Sequence, residues 1–135
     1  RTPLQWDDSY QAGFTTPNPW LALNENYQSL NVAEQESRTD SVLNYFRAMV
    51  QLRKNNLSLI YGTFEQVDEC NKQLFSYIRD SGDQKLLVVL NFSEEQALLN
   101  TEIDLTHSDI LISNYSNPSF NKCYKPFEAV IYEIV

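Results

Sequence analysis

The sequence predicts a mixed fold: a long ordered loop region and one amphipathic helix, followed by a small antiparallel β-sandwich. Three observations lead there. The first 38 residues carry no helical or strand period and are broken by Pro3, Gly13, Pro17 and Pro19. Residues 42–54 carry a clear helical period. Beyond Asn56, about six short runs rich in β-formers are separated by turn residues, the pattern of an antiparallel sandwich. At 135 residues, with 42% hydrophobic and 13% aromatic side chains, the chain can bury a real core and is not disordered.

The opening stretch, Arg1 to Thr15, suits neither regular element. Pro3 removes a backbone donor and biases Thr2 towards extended backbone. Trp6 sets a large apolar face beside Asp7 and Asp8, and Gly13 opens backbone angles closed to other residues. Such composition describes a loop held by its aromatics, and ordered loops are where functional residues concentrate. From Thr16 to Arg38 the loop continues. Trp20, Leu21 and Leu23 serve as anchors, Asn24 to Tyr27 as a turn, and Leu30 and Val32 as part of a short extended piece.

In the predicted helix Val42, Leu43, Phe46, Met49, Val50 and Arg53 share one face. Thr39 or Asp40 is suited to cap its start, Arg53 and Lys54 complement the negative end of its dipole, and Asn55-Asn56 stops it. The stripe through Phe46, Met49 and Val50 is expected to pack into a core. The strands that follow are Ile60–Glu65, Leu74–Arg79 and Leu86–Phe92, then Gln96–Leu99, Asp109–Tyr115 and Phe127–Ile134. Asp80 to Gln84 forms a hairpin turn, and Ser116 to Pro126 a turn-rich excursion. The near-continuous apolar run 86–92 is expected to be central and buried on both faces.

A net charge of -8 and a pI near 4.5 argue against nucleic acid or an anionic membrane as partner. No apolar run approaches the ~20 residues that span a bilayer, and no signal peptide is seen, so the expected location is cytoplasmic. Cys70 and Cys123 are expected as two free thiols. The single histidine, His107, reads as a surface residue, so neither a metal site nor a cofactor is expected. Asn56, Asn91 and Asn114 each begin an Asn-x-Ser glycosylation pattern, but Asn91 ends a strand expected to be buried.

The opening block R-T-P-L-Q-W-D-D-S-Y-Q-A-G-F-T resembles a segment of oligo-1,6-glucosidases and related α-glucosidases of the α-amylase family. The resemblance continues through W-L-A-L-N-E-N-Y-Q-S-L-N-V, D-S-V-L-N-Y-F-R-A-M-V-Q-L-R-K, Y-G-T-F-E, L-F-S-Y-I-R and L-L-V-V-L-N-F-S, about three quarters of the chain. It implies the end of a (β/α)8 barrel, the loop after its last strand plus its last helix, over residues 1–56. A C-terminal antiparallel β-domain would then fill 57–135. A whole barrel takes about 250 residues, so the chain is expected to be the C-terminal part of a longer enzyme. By itself the helix stripe would lack the barrel sheet that covers it in the family.

The same resemblance implies a retaining α-glucosidase acting on short gluco-oligosaccharides. Retaining glycosidases hold two carboxyl groups about 5–5.5 Å apart, and the family's catalytic motifs lie upstream of the R-T-P-L-Q-W block. No catalytic residue is therefore assigned here. The adjacent pairs Asp7-Asp8, Asp68-Glu69 and Glu94-Glu95 read as turn and surface charges. Arg1 is the one substrate-binding candidate: in relatives an arginine of this loop holds hydroxyls of the terminal glucose, for which its fork of donors is suited. Gln5, Trp6 and Trp20 are expected to anchor the loop. Two other readings differ in class. One is a carbohydrate-binding or interaction β-module using Tyr61, Phe75, Tyr77 and Tyr132; the other is an inactive homologue resembling transporter heavy chains.

Overall fold

Asn31 starts the first helix of the chain. Its Oδ1 accepts the backbone N–H of Glu34 at 2.8 Å, and its Nδ2 donates to the carbonyl of Tyr27 at 2.9 Å. That cap converts the expected extended piece around Val32 into α1, Val32–Ser37. The computed structural model describes residues 1–134, arranged in two units, Arg1–Val50 and Gln51–Val135.

In the first unit, short 3-10 turns at Tyr10–Gly13 and Glu25–Gln28 precede α1. The long helix α2 runs Val42–Asn55, in close agreement with its period. Its start is capped one residue later than expected. Ser41 Oγ accepts from Asn44 N at 3.2 Å, while Asp40 is instead paired with Arg38, also at 3.2 Å. Of the stripe expected to be core, Val50 is half-buried but Phe46 and Met49 are exposed, as is Val42 on the same face, because no described residue forms a layer over them.

Among its described residues the second unit holds the helix's last turn, a five-residue helix α3 (Leu57–Tyr61) and seven strands. Asn56 ends α2 by donating its Nδ2 to the carbonyl of Leu52 at 2.8 Å. The strand expected over Ile60–Glu65 is split. Ile60 and Tyr61 belong to α3, and β1 spans Thr63–Val67. Gly62 makes the break: a Cβ there would lie 2.5 Å from the Ser58 carbonyl oxygen and 3.0 Å from the backbone of Asp80.

Beyond β1, the strands are β2 Leu74–Asp80, β3 Lys85–Asn91, β4 Ala97–Leu98, β5 Asp109–Ser113, β6 Cys123–Tyr124 and β7 Ala129–Ile134. All pairing is antiparallel. One sheet has the order β1-β2-β3-β7-β5 and the other is the pair β4-β6. The turn-rich excursion thus carries a strand, β6, that its polar sequence did not announce. The β5–β7 ladder shifts register between Ile110 and Ile112, and such a bulge bends an edge strand.

The central strand β3 explains the layering. Leu87 and Val89 point into a core shared with Leu74, Val130 and Tyr132 of the large sheet and with Ala97, Leu99, Leu105 and Tyr124 of the opposite layer. Leu86 and Val88 point the other way, against Ile131, where Leu52 of α2 and Leu59 of α3 cover them. Alternate side chains of one strand therefore feed two cores, as a near-continuous apolar run predicts.

A buried carboxylate orders the excursion. Glu128 is fully enclosed; its Oε1 accepts Ser119 N at 2.7 Å, and its Oε2 accepts Ser119 Oγ and Lys125 N, each at 2.8 Å. Tyr132 donates its hydroxyl to the Ser119 carbonyl. Burial, helped by the nearby Glu128 charge, pushes the Tyr132 phenol up to about 12, and burial raises that of Tyr124 as well.

Candidate functional site

The opening loop is tied down along its backbone. Trp6 N donates to the Ala12 carbonyl at 2.9 Å, closing a turn. The carbonyls of Gln5 and Trp6 accept Val32 N and Ala33 N, each at 2.9 Å, which fastens the loop to the first turn of α1. The Gln5 amide reaches Asn26 Oδ1 at 3.1 Å and also donates to the Leu30 carbonyl. The anchoring expected of Gln5 is therefore present. Asn26 and Asn31, from the N-E-N-Y-Q-S-L-N block, are its structural counterparts.

The same geometry explains Asp7. Gln11, Ala12 and Gly13 all take positive φ, near +55° to +64°, which curls the chain back on Asp7. A Cβ at Gly13 would lie 2.7 Å from the Asp7 carboxylate. That carboxylate accepts the N–H of Ser9 at 2.9 Å and the Ser9 hydroxyl, and these hydrogen bonds hold its pKa below the usual value. Asp7 is a turn-former whose Oδ1 is engaged by Ser9.

Of the other acidic pairs, the Asp68 carboxylate is structural, while Glu95 is engaged through its main-chain carbonyl. Asp68 Oδ2 accepts Asn71 Nδ2 at 2.8 Å and Asn100 N at 3.0 Å, joining the loop after β1 to the segment after β4. The carbonyl of Glu95 accepts from Asn91 Nδ2 at 2.8 Å and from Ser93 Oγ at 3.0 Å. Asn91 is buried and its amide also donates to the Lys125 carbonyl at 2.8 Å. Asn114 donates to the Phe127 carbonyl at 2.8 Å. Both amide groups are thus engaged by backbone.

Beside the loop lies an open cavity of about 490 Å³, walled by Thr2, Pro3, Leu4 and Gln5 on one side and by Val42 and Phe46 of α2 on another. The motif residues face it, but no carboxylate lines it. Its apolar walls can receive apolar surface; they offer no acid and no base for hydrolysis. Arg1 stands at the exposed start of the loop next to these residues.

The aromatic candidates separate. Trp6 is about half exposed and Trp20 is 92% exposed, so Trp20 does not anchor the loop as expected; no described residue covers it. Tyr132 is enclosed and belongs to the sandwich core. Tyr61 is exposed on α3. Phe75 and Tyr77 share one sheet face with Phe64, with ring centroids 5.4 Å and 5.1 Å from that of Tyr77. Phe64 is the member that sequence reading missed. Its place opposite Arg79, itself two residues from Tyr77, is set by the β1–β2 register, which a single strand's pattern does not carry.

One polar cluster joins α3 to the sheet. Arg79 Nε donates to the Ser58 carbonyl and its Nη2 to that of Ile60, each at 3.2 Å. The buried Ser58 hydroxyl lies 2.7 Å from Ser81 Oγ and 2.9 Å from Gln84 Oε1. Gln84 Nε2 in turn donates to Asn56 Oδ1 at 3.2 Å and to Glu133 Oε1 at 3.0 Å.

Comparison with known proteins places these features. Residues 1–62 match the family model described as "Alpha amylase, catalytic domain". Over 99% of its length the chain is 38% identical to an oligo-1,6-glucosidase of Bacillus cereus, of which it covers 25%. It is 46% identical, over 76% of its length, to a glucan 1,6-alpha-glucosidase of Streptococcus pneumoniae, covering 19% of that protein. Among solved structures, trehalose-6-phosphate hydrolase of Bacillus licheniformis superposes with a TM-score of 0.87 at 31% identity, across 99% of this chain and 25% of that one. Isomaltulose synthase of Klebsiella sp. LX3 gives 0.88 at 31% identity, with the same coverage. The chain spans about a quarter of the length of the curated relatives it matches.

Proposed function

Because the chain belongs to the α-amylase family, we propose that it is the C-terminal portion of a retaining α-glucosidase acting on short α-linked gluco-oligosaccharides. Residues 1–56 then close the catalytic barrel and 57–135 form the β-domain behind it. The observation that carries this reading is the pairing of a rigidly held motif loop with an uncovered helix stripe. Gln5 and Trp6 are bonded to Val32 and Ala33, while Val42, Phe46 and Met49 stand bare on α2. A loop held this firmly is suited to present a side chain, and a bare stripe is suited to receive the inner layer of a barrel.

In this reading the chain supplies positioning and one sugar contact. Arg1 would donate to hydroxyls of the terminal glucose, with a planar fork that fixes direction as well as distance. The nucleophile, the acid/base and the further carboxylate would come from sequence before Arg1. The carboxylates described here are turn-formers, surface charges or, in Glu128, a buried clamp.

The test is a longer protein carrying the sequence that precedes Arg1, assayed on a chromogenic α-glucoside and on isomaltose. Arg1→Lys in that protein is expected to lower kcat/KM by about 10–100-fold, the loss of one charge-assisted hydrogen bond. An unchanged kcat/KM would remove Arg1 from the sugar site. Phe64, Phe75 and Tyr77 support a second reading, a sugar-binding β-module. Titrating maltose or isomaltose against the 135-residue chain decides it: saturable binding favours the module, and none is expected.

A further inference from the structure

A second cavity, within the β-domain, carries polar groups that the fold leaves unmatched. It lies at an open end of the sandwich core, between the start of β3 and the segment before β5, and holds about 280 Å³. Its apolar wall is Ile78, Ile103 and Ile134, which also pack into the sandwich core. Its polar lining is Lys85, Asp104, His107 and Ser108. Lys85 stands two residues before the inward-facing Leu87 and so shares its strand face. Ser108 is only 8% exposed, yet its hydroxyl has no hydrogen-bond partner. An enclosed, unpaired hydroxyl is costly, and a ligand that pairs it recovers that loss.

The other polar groups are partly committed. Lys85 Nζ meets Asp80 Oδ2 at 3.3 Å, which leaves ammonium donors unmet among the described residues. Asp104 Oδ1 accepts Thr106 N at 2.9 Å and Thr106 Oγ1 at 2.8 Å. Its Oδ2 lies 4.0 Å from His107 Nδ1, too far for a hydrogen bond. Because the Thr106 hydroxyl gives its proton to Asp104, its oxygen accepts from His107 Nδ1 at 3.0 Å. The other ring nitrogen, Nε2, is then the acceptor of a neutral imidazole. The lining thus offers donors from Lys85 and Ser108, acceptors from Asp104 and His107, and an aliphatic wall.

We propose that this cavity binds the zwitterion of a small aliphatic α-amino acid. The ligand's carboxylate meets the Lys85 ammonium and the Ser108 hydroxyl, and its ammonium meets Asp104 Oδ2 and the His107 imidazole. Its side chain lies on the three isoleucines. The lining itself selects this class. Lys85 and Asp104, its charged residues, are opposite in sign, so a simple anion or cation meets one like charge, whereas a zwitterion meets an opposite charge at each end. The volume suits a small molecule, lying just under the range of about 300–1,000 Å³ usual for larger ligands. No aromatic side chain is among the described lining residues, so a sugar ring finds no flat face there.

Calorimetric titration of leucine into the longer protein that contains this chain tests the proposal, with isoleucine δ1-methyl NMR to locate the ligand. Saturable binding is expected, with the largest methyl shifts at Ile78, Ile103 and Ile134. Ser108→Ala should weaken binding about fivefold, the loss of one hydrogen bond, and Lys85→Met about tenfold or more, the loss of a charge-assisted one. 4-Methylpentanoate, which lacks the ammonium, and 3-methylbutylamine, which lacks the carboxylate, should each bind at least about tenfold more weakly than leucine. Thermal unfolding checks that both variants fold, and none of these readouts depends on whether the longer protein is an enzyme. Absence of saturable leucine binding, shifts at other isoleucines, or binding unchanged in both variants would overturn the proposal. So would equal binding of 4-methylpentanoate, which marks an anion site, or of isomaltose at the same methyls, which marks a sugar site. A Ser108→Ala protein that unfolds at higher temperature and binds leucine as before would also contradict it, leaving that hydroxyl a defect of packing alone.

Discussion

At the scale of single residues, the structure is decided by polar side chains that satisfy backbone. Asn31 is the clearest. Replacing it with Ala removes the acceptor for Glu34 N and is expected to cost about 1 kcal/mol and fray α1; amide exchange at Glu34 reads it. Glu128 is placed so that all three of its partners donate. Glu128→Gln turns an amide NH₂ towards a backbone N–H in either orientation and is expected to cost about 1–3 kcal/mol, seen as a lower urea midpoint. Neither residue was picked out by the sequence reading, though only one of them carried a signal. The Asn-x-x-Glu spacing was a legible capping signal, whereas a glutamate at the head of an apolar strand gives no hint that it will be enclosed.

The titrating residues contribute to how stability varies with pH. Hydrogen bonds from Ser9 to Asp7, from Arg38 to Asp40, from Gly82 to Asp80 and from Thr106 to Asp104 hold these carboxyls below their ordinary value of 3.8. Their contribution is present above about pH 4 and is lost as pH falls through the lowered values. The tyrosines act at the other end. Tyr132 ionises near 10 when unfolded and is pushed up to about 12 when folded. Its neutral form is favoured by folding, so that stability is present below pH 10 and is lost as pH rises through the folded value. Thermal unfolding should show a plateau between these limits, and Tyr132→Phe should weaken the alkaline decline.

Among the elements, α2 and β3 were legible because each carries a long, unambiguous period. The segment 57–65 was not. Ile60-Tyr61-Gly62-Thr63-Phe64-Glu65 alternates like a strand, but Arg79 draws the carbonyls of Ser58 and Ile60 into a helical turn, and the close backbone at Gly62 permits the corner. Tertiary bonds from twenty residues away overrode a local pattern that supported either state. Gly62→Ala is expected to force α3 away from β2, because its Cβ would meet backbone rather than a movable side chain, with a loss of about 1–3 kcal/mol. β4 falls within the expected run Gln96–Leu99, but its partner β6 was hidden for a related reason. Two-residue strands are too short to show a period, and Leu98 opposite Cys123 is a contact between distant segments.

At the scale of the whole molecule, the division into a loop-and-helix region followed by a sandwich was readable from the order of patterns alone. The site was readable only as a place. Gln5, Trp6 and the asparagines hold the loop in place, and the expected anchor Trp20 is 92% exposed. In the first unit, Val42, Phe46 and Met49 stand bare on α2 with the open cavity beside them. The fold matches its relatives closely over a quarter of their length.

That account is tested most directly by hydrolysis of a chromogenic α-glucoside by the 135-residue chain alone. Catalysis by this family's chemistry needs two opposed carboxyl groups, and the chain is assigned none. The expected result is no turnover above the uncatalysed rate at any chain concentration. Hydrolysis that scales with the amount of purified chain, and that survives Asp7→Asn, would contradict the assignment of the catalytic groups to sequence before Arg1.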